Sequence, residues 1–69
     1  MAQLVSWDRS VNAAYIGFRE IGPGEAAKQL TVTDEGGSTA AVLDFGADGE
    51  LLGIELLDAE RQLPRDLRD

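Results

Sequence analysis

Sixty-nine residues, 43% of them hydrophobic, suffice for one domain near the lower limit of independent folding, where a chain buries only about 60% of the surface its unfolded form exposes. The absence of Cys and His excludes disulfides and the usual zinc and copper sites, and leaves oligomerisation as the support within reach for a small core. Thirteen acidic against six basic residues, a net charge of −7, exclude the broad positive face that displaces counterions from nucleic acid.

In chain order, residues 2–7 alternate loosely, with Leu4 and Ser6 on one side and Val5 and Trp7 on the other. This predicts a first strand. Asp8-Arg9-Ser10-Val11-Asn12 reads as a turn, since Asp and Asn bond their side chains to nearby backbone groups. Residues 13–19 follow as a second strand, with Ala14, Ile16 and Phe18 inward and Tyr15, Gly17 and Arg19 outward. Gly17 in such a strand marks a bulge or a close backbone approach. Ile21-Gly22-Pro23-Gly24 is a loop. Thr31-Val32-Thr33 is β-branched and assigns residues 27–33 to a third strand, despite the helix-forming residues just before it. Asp34-Glu35-Gly36-Gly37-Ser38 is the next turn.

Residues 40–58, AAVLDFGADGELLGIELLD, carry the clearest signal. Asp48-Gly49 between apolar runs predicts a β-hairpin, because Gly accepts positive φ and Asp tolerates turn geometry. A turn centred on Ala47-Asp48 sets Phe45 opposite Glu50, Leu43 opposite Leu52 and Ala41 opposite Ile54. One face then gathers Ala41, Leu43, Phe45, Leu52, Ile54 and Leu56. A bulge at Gly49 would slide the pairing by one residue and set Val42 opposite Ile54, exchanging faces; the richer apolar match favours the first register. Leu51 and Leu57 fall on the opposite side of the second strand, so something is expected to cover its second face. Beyond Asp58, which can cap a short helical turn that Pro64 stops, only Leu63 and Leu67 remain to dock. The expected architecture is mainly β: an antiparallel meander of about five short strands with a C-terminal helical turn. Residues 1–63 form the domain and residues 64–69 a frayed tail.

Three segments resemble a known family. Trp7-Asp8-Arg9-Ser10-Val11-Asn12-Ala13-Ala14-Tyr15-Ile16 is similar to its opening pattern of aromatic, Asp, a gap, Asp, Ala, any residue, Tyr, Ile. Ile21-Gly22-Pro23-Gly24-Glu25 resembles its middle loop, and residues 42–59 resemble its closing hairpin. The family is the bacterial domain of unknown function numbered 2283. The resemblance implies a small antiparallel β domain with no established activity, catalytic residue or cofactor, and a suspected link to toxin–antitoxin-like gene pairs. Trp7 stands where Tyr is usual and Asn12 where Asp is usual; Asn12 cannot act as a base, so the position reads as a turn former.

Each candidate chemistry meets a plainer explanation. Asp44, Asp48, Gly49 and Glu55 match EF-hand positions one, five, six and twelve, but Gly46 supplies no ligand at position three and the flanks are strands rather than helices. Gly22-x-Gly24-x-x-Ala27 mimics a dinucleotide loop, yet Pro23 and Glu25 oppose it and no helix follows. Asp44, Glu50, Glu55 and Asp58 offer carboxylate pairs, but thirteen acids in a short chain make pairs by chance. Without His or Cys the usual nucleophile pairs cannot form, and Lys28, the sole lysine and a conceivable activator of Ser38 or another hydroxyl, reads as a solvated lysine.

The expectation is a non-catalytic protein–protein interaction domain without cofactor or metal, self-associating and most simply a homodimer. Val5, Trp7, Tyr15, Leu51 and Leu57 are its interface candidates, and Asp8, Asn12, Asp48 and Gly49 its structural turn residues. The alternatives are an antitoxin-like regulator that binds a basic protein, or a small acidic metal binder or enzyme. Arg61, Arg65 and Arg68 cluster, but Glu60, Asp66 and Asp69 neutralise them, so no nucleic acid is expected. No apolar run reaches the ~20 residues of a membrane helix, and the N-terminus lacks the basic start and apolar core of a signal peptide; the expected location is the cytoplasm.

Overall fold

A computed structural model of the chain describes residues 4–67. Five strands, β1 (Leu4–Asp8), β2 (Ala13–Gly17), β3 (Lys28–Thr33), β4 (Thr39–Phe45) and β5 (Leu51–Leu56), precede a helical turn α1 (Ala59–Gln62) and a 3-10 turn η1 (Arg65–Leu67). All neighbours in the sheet are antiparallel, in the order β1-β2-β5-β4-β3. The expected up-and-down succession is therefore interrupted once. Residues 18–27 carry the chain past the β4–β5 corner to the far edge, and β3, β4 and β5 then return to β2. Residues 2 and 3 of the expected first strand, and Arg68 and Asp69, lie outside the described residues.

The register sorts the side chains into rows. One row runs Trp7, Ala14, Leu56, Ala41, Val32, and a second runs Val5, Ile16, Ile54, Leu43, Leu30. Every member of both rows is apolar. Directly paired residues share a face and alternate residues change it, so these ten side chains make one continuous apolar face. Between them lie the rows Ser6, Tyr15, Glu55, Val42, Thr31 and Gly17, Gly53, Asp44, Gln29, which place most of the polar groups on the other face.

The β4–β5 hairpin corrects the expected pairing. Leu43 opposes Ile54 and Ala41 opposes Leu56, two residues away from the expected partners. Two successive slips produce the offset. The turn is centred on Ala47 and Asp48, closed by Gly49 N–H to Gly46 C=O at 3.0 Å, but Gly49 then adopts φ +91° and Gly46 N–H bonds Glu50 C=O at 2.8 Å. This is a three-residue loop ending in a left-handed glycine, which adds one residue. A second irregularity between Asp44 and Phe45 leaves Leu52 as an extra residue on β5. One slip would have exchanged faces; two restore them. Ala41, Leu43, Ile54 and Leu56 therefore share the expected face, although the partners across the hairpin differ from those expected.

Helix α1 closes one end of the apolar face. Ala59 and Leu63 pack with Ala14 as a buried cluster, bordered by Val5, Trp7, Ile16 and Leu56. All of these sheet residues belong to β1, β2 or β5. Fully burying a Leu contributes about 1.5–3 kcal/mol, which makes Leu63 the anchor of a four-residue helix too short to stand alone. Leu52, the bulged residue, is buried with its methyl groups beside Gly46.

Candidate functional site

The β3 end of the apolar face is uncovered. Every residue of β3 is exposed, including Leu30 at 45% and Val32 at 42% of their accessible surface. Leu43 and Ala41, beside them on β4, are half-buried. The cause lies in sequence order and in the brevity of α1: the helix follows β5 directly, packs its apolar side on β1, β2 and β5, and meets β4 through the Gln62 amide at Ala40. β3 thus forms an edge strand with one neighbour, and edge strands present unpaired backbone groups to any strand that approaches.

On the opposite face a polar cluster centres on Asp44. Its carboxylate accepts the Tyr15 hydroxyl at 3.0 Å through Oδ2 and the Gln29 amide at 2.8 Å through Oδ1. Tyr15 reaches Asp44 by laying its ring across Gly53, where a Cβ would collide with the phenol. Gly53, the ladder partner of Gly17, is thus a position of close approach. Desolvation by burial, followed by the hydrogen bond and charge of Asp44 and the charge of Glu55, pushes the Tyr15 hydroxyl up to about 12. The phenol stays neutral and donating. It is neither a base nor a nucleophile near neutral pH.

A third junction ties α1 to the β1–β2 turn. Asn12 adopts φ +54°, a left-handed conformation that Asn tolerates better than most residues. Its backbone C=O accepts Ala59 N–H at 3.0 Å and its Oδ1 accepts Glu60 N–H at 2.8 Å, so two orphan donors of the helix start are satisfied from across the sheet. Its Nδ2 donates to Asp58 at 2.8 Å. Asp58 occupies the cap position without making a side-chain cap bond, which corrects its expected role. Gln62 completes the junction: its Oε1 accepts Asp58 N–H and its Nε2 donates to Ala40 C=O, both at 2.8 Å.

The five interface candidates do not form one patch. Val5 and Trp7 border the α1 cluster, and Arg9 stacks on the Trp7 ring at 4.2 Å. Tyr15 lies on the polar face. Leu51 opens β5 and Leu57 follows its last residue, exposed at 39% and 38%. Leu30 and Val32 were missed: their strand was recognised, but its place at the sheet edge depends on a strand order that no local pattern encodes. Among the turn residues, Asp8 accepts both the hydroxyl and the N–H of Ser10, and these two bonds hold its carboxyl below the usual range. Asp48 accepts Glu50 N–H at 3.4 Å. The EF-hand-like residues are spread along the hairpin, with Asp44 committed to Tyr15 and Gln29.

The family model described as "Protein of unknown function (DUF2283)" matches residues 4–60. The chain belongs to the DUF2283 family. The match spans all five strands and reaches Glu60, so the sheet, the Asp44 cluster and the contact between Asn12 and the start of α1 all lie within the DUF2283 domain. No curated protein and no solved structure matches the chain.

Proposed function

We propose that this DUF2283 domain is a non-catalytic protein-interaction module that works by pairing with a second copy of itself. The observation that carries the reading is the uncovered β3 end of the apolar face, where Leu30 and Val32 stand exposed in rows whose β1 and β2 members pack with the α1 cluster. Such exposed apolar surface, contiguous with a core, marks interaction sites. The Asp44 cluster supports the non-catalytic part, since its carboxylate already serves two donors and its phenol is held neutral. A ligand that binds only the folded state raises the melting temperature with concentration, and here the ligand is a second copy. Thermal unfolding should shift upward as protein concentration rises, and Leu30→Lys should abolish the shift. A melting temperature independent of concentration overturns the proposal. The net charge of −7 favours a second reading, an antitoxin-like regulator steered towards a basic protein. Co-purification with a co-encoded basic protein tests it, and failure to co-purify counts against it.

A further inference from the structure

We infer that the pairing proposed above, on which this inference rests, is the antiparallel addition of β3 to the β3 of a second copy, about a two-fold axis at Thr31. The strand is built to accept a neighbour. All six residues of β3 are exposed, it contains no proline, and the irregularity opposite Val32 and Thr33 places the extra residue, Ala40, on β4. β3 therefore lacks the bulge and proline that commonly blunt an edge.

The sequence of the strand is complementary to its own reverse. Pairing about Thr31 sets Leu30 opposite the second copy's Val32, Gln29 opposite its Thr33 and Lys28 opposite its Asp34. Directly opposed residues share a face, so Leu30 and Val32 of both copies meet as one apolar cluster at the seam, on the face that α1 leaves bare. Lys28 meets an opposite charge at each end. Registers displaced by one step in either direction lose this. An axis at Leu30 sets Lys28 against Val32, and an axis at Val32 sets Asp34 against Leu30. The other sheet edge offers less: β1 is Leu-Val-Ser-Trp-Asp, its charge has no opposite partner across a two-fold axis, and its Val5 and Trp7 already border the α1 cluster. Because α1 sits at the β1–β2–β5 side, two copies joined at β3 keep their helices far from the seam.

Cross-linking tests the geometry in a chain that has no cysteine of its own. Opposed strand residues stand about 4.5–5.5 Å apart between Cα atoms, inside the range a disulfide spans. Thr31→Cys should give a covalent dimer under mild oxidation at concentrations where the wild-type chain sediments as a pair, and Leu57→Cys should not. Lys28→Glu should weaken the wild-type association about tenfold, because it creates two repulsive surface contacts, and added salt should reduce that loss. A chain that pairs while Thr31→Cys fails to cross-link, or while Leu57→Cys cross-links as readily, overturns the β3 seam and leaves self-association standing. A chain that stays single at every concentration overturns both.

Discussion

Asn12 does at one position what helix starts usually ask of the residue just before them. Its side-chain oxygen and backbone carbonyl serve two N–H groups of α1 while its backbone takes a left-handed turn. Asn12→Ala removes the side-chain bonds and strains the turn, so it should cost about 2–3 kcal/mol, roughly 1 for the lost cap and 1–2 for the conformation. Asn12→Gly relieves the strain but not the lost bonds and should cost about 1 kcal/mol less; urea unfolding of the two variants separates the contributions. Tyr15 and Gly53 form a second linked pair. The raised pKa means that the folded chain holds the phenolic proton more tightly than the unfolded chain. The stabilisation is intact below the ordinary value of 10.0 and is lost as pH rises through about 12. Tyrosinate absorbance should show a midpoint near 12, and Tyr15 is the single tyrosine. Gly53→Ala should drive the ring off the strand, return the midpoint towards 10 and destabilise the fold by about 1–3 kcal/mol. In a Tyr15→Ala background the same substitution should cost less. The Trp7 indole nitrogen is buried without a hydrogen-bond partner among the described residues, and an unsatisfied donor costs about 1–3 kcal/mol. Trp7→Phe is therefore expected to leave stability unchanged or raised in the same urea assay.

The elements were legible to the extent that their signals are local. The alternation in residues 13–19, the β-branched Thr31-Val32-Thr33 and the Asp48-Gly49 corner each marked a strand or turn within one or two residues of its place. The hairpin's partners were not legible, because an added residue at Gly49 and another at Leu52 depend on the sheet to which the hairpin docks. The left-handed Gly49 was foreseeable; the bulge at Leu52 was not, since its reason is the burial of that side chain. The same pair of devices recurs in the β3–β4 hairpin, where Gly37 takes φ +89° and Ala40 is the extra residue. Its freed carbonyl accepts both Leu57 N–H and the Gln62 amide, an arrangement visible only after folding. The cap of α1 was assigned to Asp58 for a comparable reason: its true donor-satisfying partner, Asn12, lies far back in the chain. The helix itself rests on packing. Leu63→Ala should cost about 2–4 kcal/mol in chemical denaturation, whereas Leu67→Ala, an exposed position, should change stability by less than about 0.5 kcal/mol.

At the scale of the molecule the shape matches the incomplete core. The extents are 31 × 29 × 19 Å and the radius of gyration is 12.3 Å, above the ~11 Å typical of a compact chain of this length. A broad sheet with a short helix over one side accounts for the difference. The core-facing rows continue across β4 to β3, where Leu30 and Val32 carry the same apolar pattern into solvent. In the pairing proposed above, two chains that each carry a net charge of −7 would repel one another, so the association should respond to both concentration and salt. Sedimentation equilibrium of the unmodified chain across a wide concentration range tests this most directly. A reversible rise in mean mass from one copy to two, stronger in high salt, is expected. A mass that stays at 7.4 kDa throughout would contradict it.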